Sequence, residues 1–148
     1  MFGFFKWRRV VGQATEDAVY CCRAMFAGLE AHGKAVPNQV FGDAYVLGFL
    51  QQLMIYAVHA NQRRTDDAPM MLAVAEATME ALVPGFGKKV LTAFAEVNDP
   101  AHPMHENYRV GFREGLQYTM SLLHGDVATT QDRMVGFRAF VKRNYLGG

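Results

Sequence analysis

The clearest metal-binding chemistry in the sequence lies at His102, His105 and Glu106, where His105 and Glu106 follow His102 at three and four residues. On a helix this spacing puts two imidazoles and a carboxylate on one face, and such a set can coordinate a divalent transition metal. Pro103 favours a helix that begins there, which leaves His102 at the margin, where polar side chains commonly act as caps. We therefore expect no metal and no cofactor. A metal-dependent enzyme or metal-binding protein that uses these three residues is kept as an alternative.

A second group opens the chain, where four aromatic side chains and three cations fall within the first nine residues. This aromatic-basic segment, residues 1–11, contains Phe2, Phe4, Phe5, Lys6, Trp7, Arg8 and Arg9. Aromatic rings beside Lys and Arg suit a boundary between apolar and anionic surroundings. Three interpretations stay open: binding of a protein partner, weak peripheral contact with a membrane, and packing of the rings onto the protein's own core.

The end of the chain is basic, because the residues after Asp132 include cations but no carboxylate side chain. The cations are Arg133, Arg138, Lys142 and Arg143. Residues 126–146 are predicted to form an amphipathic helix with these cations opposite an apolar stripe. Such a face is either solvated or binds an acidic partner, anionic lipid or nucleic acid. No interleaved aromatic platform for bases accompanies it, so a nucleic-acid-binding helical module is the second alternative.

One apolar helix, predicted over about 38–61, must position these groups. From Ala44 to Gln62 the chain carries no formal charge. The run approaches the roughly 20 residues that cross a bilayer, but Gln51 and Gln52 at its middle would have unpaired amides in lipid. We predict that other helices of the protein, and not lipid, surround it.

Start and stop signals divide the rest of the chain into helices, while alternating strand patterns are almost absent. Thr15 begins the first predicted helix, the motif from Thr65 to Pro69 begins the third, and Pro103 begins the fifth. The sequence thus predicts an all-α fold, a single domain over 1–148 in one compact bundle. The six predicted helices cover about 15–32, 38–61, 65–82, 86–97, 103–123 and 126–146.

Two of these helices resemble each other. Tyr45-Val46-Leu47-Gly48-Phe49, followed by Leu53, matches Tyr108-Arg109-Val110-Gly111-Phe112, followed by Leu116. Either two helical hairpins are duplicated about an approximate twofold axis, or core helices share these residue types by chance. In both cases a mid-helix glycine is unfavourable unless a neighbouring helix approaches closely. We therefore predict helix packing at Gly48, Gly111 and Gly115.

Composition limits the class of protein. With 51% hydrophobic and 20% charged residues and a net charge of +1, the chain has the composition of an ordinary globular protein. Cys21 and Cys22 are adjacent and cannot link distant segments, so a reducing, cytoplasmic setting is the default. Met70 and Met71 point in different directions on one helix, which leaves one of them for a subunit interface.

No complete catalytic set is visible, so we do not expect an enzyme. We expect a non-enzymatic interaction or assembly protein in the cytoplasm, with weak peripheral membrane contact left open. It would be a homodimer or a complex subunit that binds a protein partner through the aromatic-basic segment and the basic last helix.

Overall fold

The computed structural model describes residues 2–29, 36–62 and 67–147, apart from the side chain of Phe2. Within these ranges six α-helices form one bundle, which confirms the all-α prediction. No described helix is both long enough and apolar enough to cross a membrane. A short 3-10 helix (Asn38–Gly42) precedes α2. The helices are α1 (Phe2–Phe26), α2 (Ala44–Asn61), α3 (Ala68–Leu82), α4 (Gly87–Asn98), α5 (His105–His124) and α6 (Val127–Tyr145).

Helix α2 is the apolar centre of the bundle, and Leu47, Leu50 and Leu53 have no exposed surface. It begins at Ala44, so the predicted start near 38 was wrong. The carboxylate of Asp43 accepts the Val46 N–H at 3.1 Å and caps the helix there. Such a cap satisfies one of the otherwise unpaired N–H groups of the first turn.

Helix α1 begins at Phe2 instead of Thr15, so the aromatic-basic segment forms its first turns. The reason is a stripe at helical spacing: Trp7, Val10 and Val11 pack against the same core as the buried Ala14 and Ala18. No proline interrupts this stretch. The helix ends at Phe26, and Gly28 takes a left-handed φ of 80° just beyond it. The predicted end at 32–33 falls outside the described residues.

The remaining boundaries follow capping side chains. Asp67 accepts the Met70 N–H at 3.0 Å, and Pro69 lies in the first turn of α3; Thr65 and Asp66 lie outside the described residues. Helix α5 begins at His105, two residues after the predicted Pro103. Helix α6 begins at Val127, where Asp126 accepts the Thr129 N–H at 3.2 Å.

Helices α2 and α5 run parallel and form the closest packing in the bundle. A Cβ atom built on Gly48 would lie 2.2 Å from the Tyr108 carbonyl oxygen, and one built on Gly111 would lie 2.0 Å from the Tyr45 carbonyl oxygen. One built on Gly115 would lie 2.9 Å from Cβ of Gln52. Only glycine allows backbones to approach this closely. We call this contact the glycine seam.

The seam is reciprocal. The carbonyl oxygen of Tyr108 on α5 lies against Gly48 of α2, and the carbonyl oxygen of the matching Tyr45 on α2 lies against Gly111 of α5. The hydroxyl of Tyr108 donates to the Gln51 side chain, and the hydroxyl of Tyr45 donates to the corresponding Glu114. These paired contacts define an approximate twofold axis between the two helices. It relates α2 to α5, but the flanking helices differ, because α1 packs along α2 and α3 whereas α4 packs mainly on α3.

Helix α1 is antiparallel to α2. Asn61, the last residue of α2, donates to the Asp17 carboxylate at 2.8 Å, and the rings of Phe26 and Phe41 lie 5.1 Å apart near the start of α2. The turns of α1 before Ala14 therefore extend past the C-terminal end of α2. The C-terminal end of α6 lies at the opposite end of the bundle, where Tyr145 donates to Asp43.

Candidate interaction surfaces

The aromatic-basic segment forms an exposed surface on the first turns of α1. Phe4 and Phe5 are 59% and 62% exposed, and their ring centroids lie 6.1 Å apart. The guanidinium carbon of Arg8 lies 5.7 Å from the Phe4 ring centroid, within cation–π range. Lys6 and Arg9 are exposed beside them. Trp7 is half-buried against the core, so it anchors the segment. The side chain of Phe2 lies outside the described part.

The cations of α6 are divided between internal and exposed positions. Arg138 donates from Nη2 to the Ala24 carbonyl at 2.7 Å and from Nε to the Met25 carbonyl at 3.1 Å. It thus satisfies carbonyl groups near the end of α1, where a positive charge is favourable. Arg133 lies 3.7 Å from Glu114 on α5. Among the four predicted cations, only Lys142 and Arg143 are exposed.

The two predicted binding regions do not form one surface. Phe4 and Phe5 lie on the part of α1 that extends past the C-terminal end of α2. Lys142 and Arg143 lie in the last turn of α6, at the end of the bundle marked by Asp43. The 18 residues of α2 lie between them, a length of roughly 27 Å. A single small partner contact cannot use both.

The histidine cluster is engaged in local backbone contacts. His102 accepts the Met104 N–H through Nδ1 at 3.1 Å, and Nδ1 of His105 lies 2.8 Å from the Val97 carbonyl oxygen. Glu106 pairs with Arg109 at 3.4 Å on the surface. Within the described ranges, no three His, Cys, Asp or Glu side chains are placed to hold a metal ion. The structure thus does not bring the three candidate ligands together.

A polar network links α2, α5 and α6 around a cavity of about 290 Å³ lined by Tyr45, Glu114, Phe140 and Arg143, among others. Burial, followed by the hydrogen bond to Glu114, raises the pKa of Tyr45 above its ordinary value. The hydroxyl is therefore a neutral donor at physiological pH. Nε of Arg133 is buried here with no hydrogen-bond partner among the described residues. The network holds three helices in register.

The twofold-related position, around Gln51 and Tyr108, lies beside a mainly apolar and partly open cavity. This cavity of about 240 Å³ is lined by Gln51, Tyr108, Met71 and Phe94, among others. Helix α4 contributes Phe94 to its lining. Met70 is buried and Met71 is half-buried against the core. The methionine pair thus has an intramolecular explanation and gives no support to a subunit interface.

The environment of the two adjacent thiols keeps them protonated. Cys22 is fully buried, and burial raises its pKa above the ordinary range. Burial, and to a lesser degree the Asp17 carboxylate, also raises the pKa of Cys21. Both thiols stay protonated at neutral pH, and a protonated thiol is a weak nucleophile.

Sequence reasoning missed a further exposed group on α5, formed by Arg109, Arg113, Leu116, Met120 and Leu123. A residue-by-residue comparison of the two similar helices would have found it, because Arg109 and Arg113 stand where α2 has Val46 and Leu50.

No family model, no curated protein and no solved structure matches this chain.

Proposed function

We propose that this chain is a non-enzymatic interaction protein whose aromatic-basic segment binds an acidic, partly apolar surface of a protein partner. The carrying observation is the exposure of Phe4 and Phe5 on the first turns of α1. Folded proteins rarely leave large neighbouring rings in water without a binding role. A cytoplasmic complex subunit is the setting we propose for it.

The charges beside the rings support an acidic partner. Lys6, Arg8 and Arg9 carry three positive charges within two turns, and α1 has no carboxylate before Glu16. Rings that enter an apolar pocket while cations meet carboxylates at its edge match the anatomy of protein interfaces. Because Trp7, Val10 and Val11 pack on the core, the binding residues are held on a helix and lose little freedom on binding.

The test is affinity capture from native extract with the full chain as bait. Phe4→Ser combined with Phe5→Ser removes both rings, and Tyr20→Ser is the matched control, since Tyr20 is an aromatic residue of the same helix that is 78% exposed. We expect a protein that the parent chain and the control retain and the double variant loses. Circular dichroism checks that all variants stay helical.

Two results would refute the proposal. One is equal capture by the parent chain and the double variant. The other is sedimentation with anionic phospholipid vesicles that depends on Phe4 and Phe5 while no protein is captured, since that assigns the segment to a membrane surface. A loss of helicity in the double variant would assign the rings to folding instead.

A further inference from the structure

One face of α5 has no covering element in the described part of the chain, although its counterpart on α2 is covered. The α2 face follows helical spacing through Val46, Leu50, Leu53, Ala57 and Asn61. The first four are buried, and Asn61 bonds to Asp17 of α1. The residues at the equivalent positions of α5 are all exposed: Arg109, Arg113, Leu116, Met120 and His124.

The difference arises from how the preceding helices pack. Helix α1 has 25 residues and packs along α2, whereas α4 has 12 residues and packs mainly on α3 instead of α5. The Gly87 N–H donates to Glu80 at 2.9 Å, and a Cβ atom on Gly87 would lie 2.7 Å from the Glu76 carbonyl oxygen. The α5 face is therefore left open beside it.

We propose that the α5 face binds an amphipathic, acidic helix of another protein, in the way that α1 covers α2. Leu116, Met120 and Leu123 are 44%, 44% and 60% exposed and follow the four- and three-residue spacing of a helix-binding stripe. Such a stripe accepts the apolar positions of an incoming helix. On α2 the corresponding face is covered by helix α1, so a helix fits a face of this shape.

The charges at one end of the stripe define the partner's chemistry. Arg113 has no ion pair in the described ranges, and Arg109 is held only by the exposed Glu106. A surface pair of this kind contributes at most about 1 kcal/mol and opens easily. Both arginines border a groove of about 400 Å³ that Phe112 and Leu116 also line. An apolar side chain fits the groove, and carboxylates fit its edge.

Charge also argues against one occupant from a second copy of this chain, the exposed aromatic start of α1. This helix turn carries Lys6, Arg8 and Arg9. Like charges opposite Arg109 and Arg113 oppose such a dimer. The proposed site also lies apart from the aromatic-basic segment, so it does not depend on the function proposed above.

The experiment uses two synthetic peptides of about 18 residues, which is five helical turns. Both carry leucines at alternating three- and four-residue spacing. One has glutamates along both edges of this stripe, and the control peptide has lysines in their place. Fluorescence anisotropy against the full chain is expected to show the acidic peptide binding about tenfold more tightly, with the difference shrinking as salt screens the arginines.

Variants of the face locate the binding. Leu116→Gln combined with Met120→Gln is expected to weaken the acidic peptide about tenfold, through lost apolar burial. Leu72→Gln on α3 is the matched control, since Leu72 is 57% exposed outside the face. Arg113→Glu is expected to weaken binding about fivefold and to reverse the preference between the peptides. The control Lys88→Glu on α4 leaves both affinities unchanged.

Three outcomes would overturn the proposal. The first is equal affinity for the acidic and basic peptides, or no binding of either. The second is a chain that self-associates in sedimentation and becomes monomeric on Leu116→Gln with Met120→Gln, which makes the face a homodimer interface. The third is binding of anionic phosphatidylserine vesicles through Leu116 and Met120 with no peptide binding.

Discussion

The first half of the molecule (α1–α3) and the second half (α4–α6) share a packing core but differ in what covers it. Both contribute a tyrosine and a glycine to the seam at matching positions, Tyr45 and Gly48 on α2 and Tyr108 and Gly111 on α5. Away from the seam, α2 is buried on nearly all sides, whereas α5 keeps one face in solvent. The seam constrains the sequence in both halves, and the covering helix decides which other positions must be apolar.

The two halves also differ in the polarity of their tyrosine sites. Tyr108 donates to an amide, Gln51, beside a mainly apolar cavity that α4 helps to line. Tyr45 donates to a carboxylate, Glu114, which Arg133 also approaches. A carboxylate at a partly open site keeps contact with water and with a cation, so its charge is tolerated there. The same architecture thus holds a neutral and a charged network.

The largest expected effect comes from breaking the seam. Gly48→Ala or Gly111→Ala places a Cβ about 2 Å from a backbone oxygen, and each is expected to lower the free energy of unfolding by about 3 kcal/mol. Gly12→Ala is the control, because Gly12 lies inside α1 with nothing within 4 Å, and it should raise stability by about 0.5–1 kcal/mol. Urea denaturation measures all three. Unchanged stability of Gly111→Ala would show that the helices are farther apart than described.

The next-largest effect on stability is expected at Arg138, which joins α6 to α1 through a contact with no twofold-related counterpart. Arg138→Met keeps the apolar stem but removes the hydrogen bonds to the Ala24 and Met25 carbonyls. We expect a loss of about 2 kcal/mol, since hydrogen bonds from charged donors are stronger than neutral ones. Lys142→Met, at an exposed position of the same helix, should change stability by less than about 0.5 kcal/mol. Equal effects at both positions would contradict this role.

A smaller effect separates the two tyrosine sites. Tyr45→Phe is expected to cost about 2 kcal/mol and Tyr108→Phe about 1 kcal/mol, because a carboxylate acceptor makes the stronger hydrogen bond. Thermal unfolding followed by calorimetry gives both values. Tyr20→Phe, at a residue 78% exposed, serves as the reference for a hydroxyl in water. Should Tyr108→Phe prove the more damaging, the comparison of the two networks would be reversed.

The smallest effect is in the alkaline range. Burial and the Glu114 hydrogen bond both raise the pKa of Tyr45. Burial also raises the pKa of Tyr108, but there the Gln51 hydrogen bond opposes the rise. A raised folded-state pKa gives stability that is complete below the unfolded value of about 10 and is lost as pH rises through the folded pKa. Tyr45→Phe should therefore flatten the loss of stability above about pH 10 more than Tyr108→Phe does. Urea titrations at several alkaline pH values test this, and an equal total loss of stability removed by the two substitutions would refute it.

Local patterns in the sequence predicted much of the fold. The charge-free run from Ala44 predicts the buried helix, and Asp67 with Pro69 predicts the start of α3 close to where it lies. The mid-helix residues Gly48 and Gly111 predict close packing because their conformational cost needs compensation. Each of these features acts within one or two turns of its own residue.

The remaining features depend on distant contacts that local patterns do not encode. Nothing near Arg138 in the sequence indicates that it binds carbonyl groups of α1. The extension of α1 back to Phe2 depends on the core that Trp7, Val10 and Val11 meet. The open face at Leu116 depends on the packing of α4 on α3, which leaves α5 uncovered there. Local patterns therefore identified the aromatic-basic segment but left open whether Phe4 and Phe5 are exposed, and the α5 face could be found only by comparing α5 with α2.

The parallel order of α2 and α5 has a consequence for how the chain folds. Parallel neighbours cannot be joined by a tight hairpin, and here α3 and α4 lie between them in the sequence. Helical bundles usually fold quickly because most of their contacts are local. In this protein the tightest contact is non-local, so we expect slower folding than in an up-and-down bundle of equal length. During synthesis, at about 5–20 residues per second, α2 leaves the ribosome seconds before α5, so its seam face stays without its partner helix for that interval.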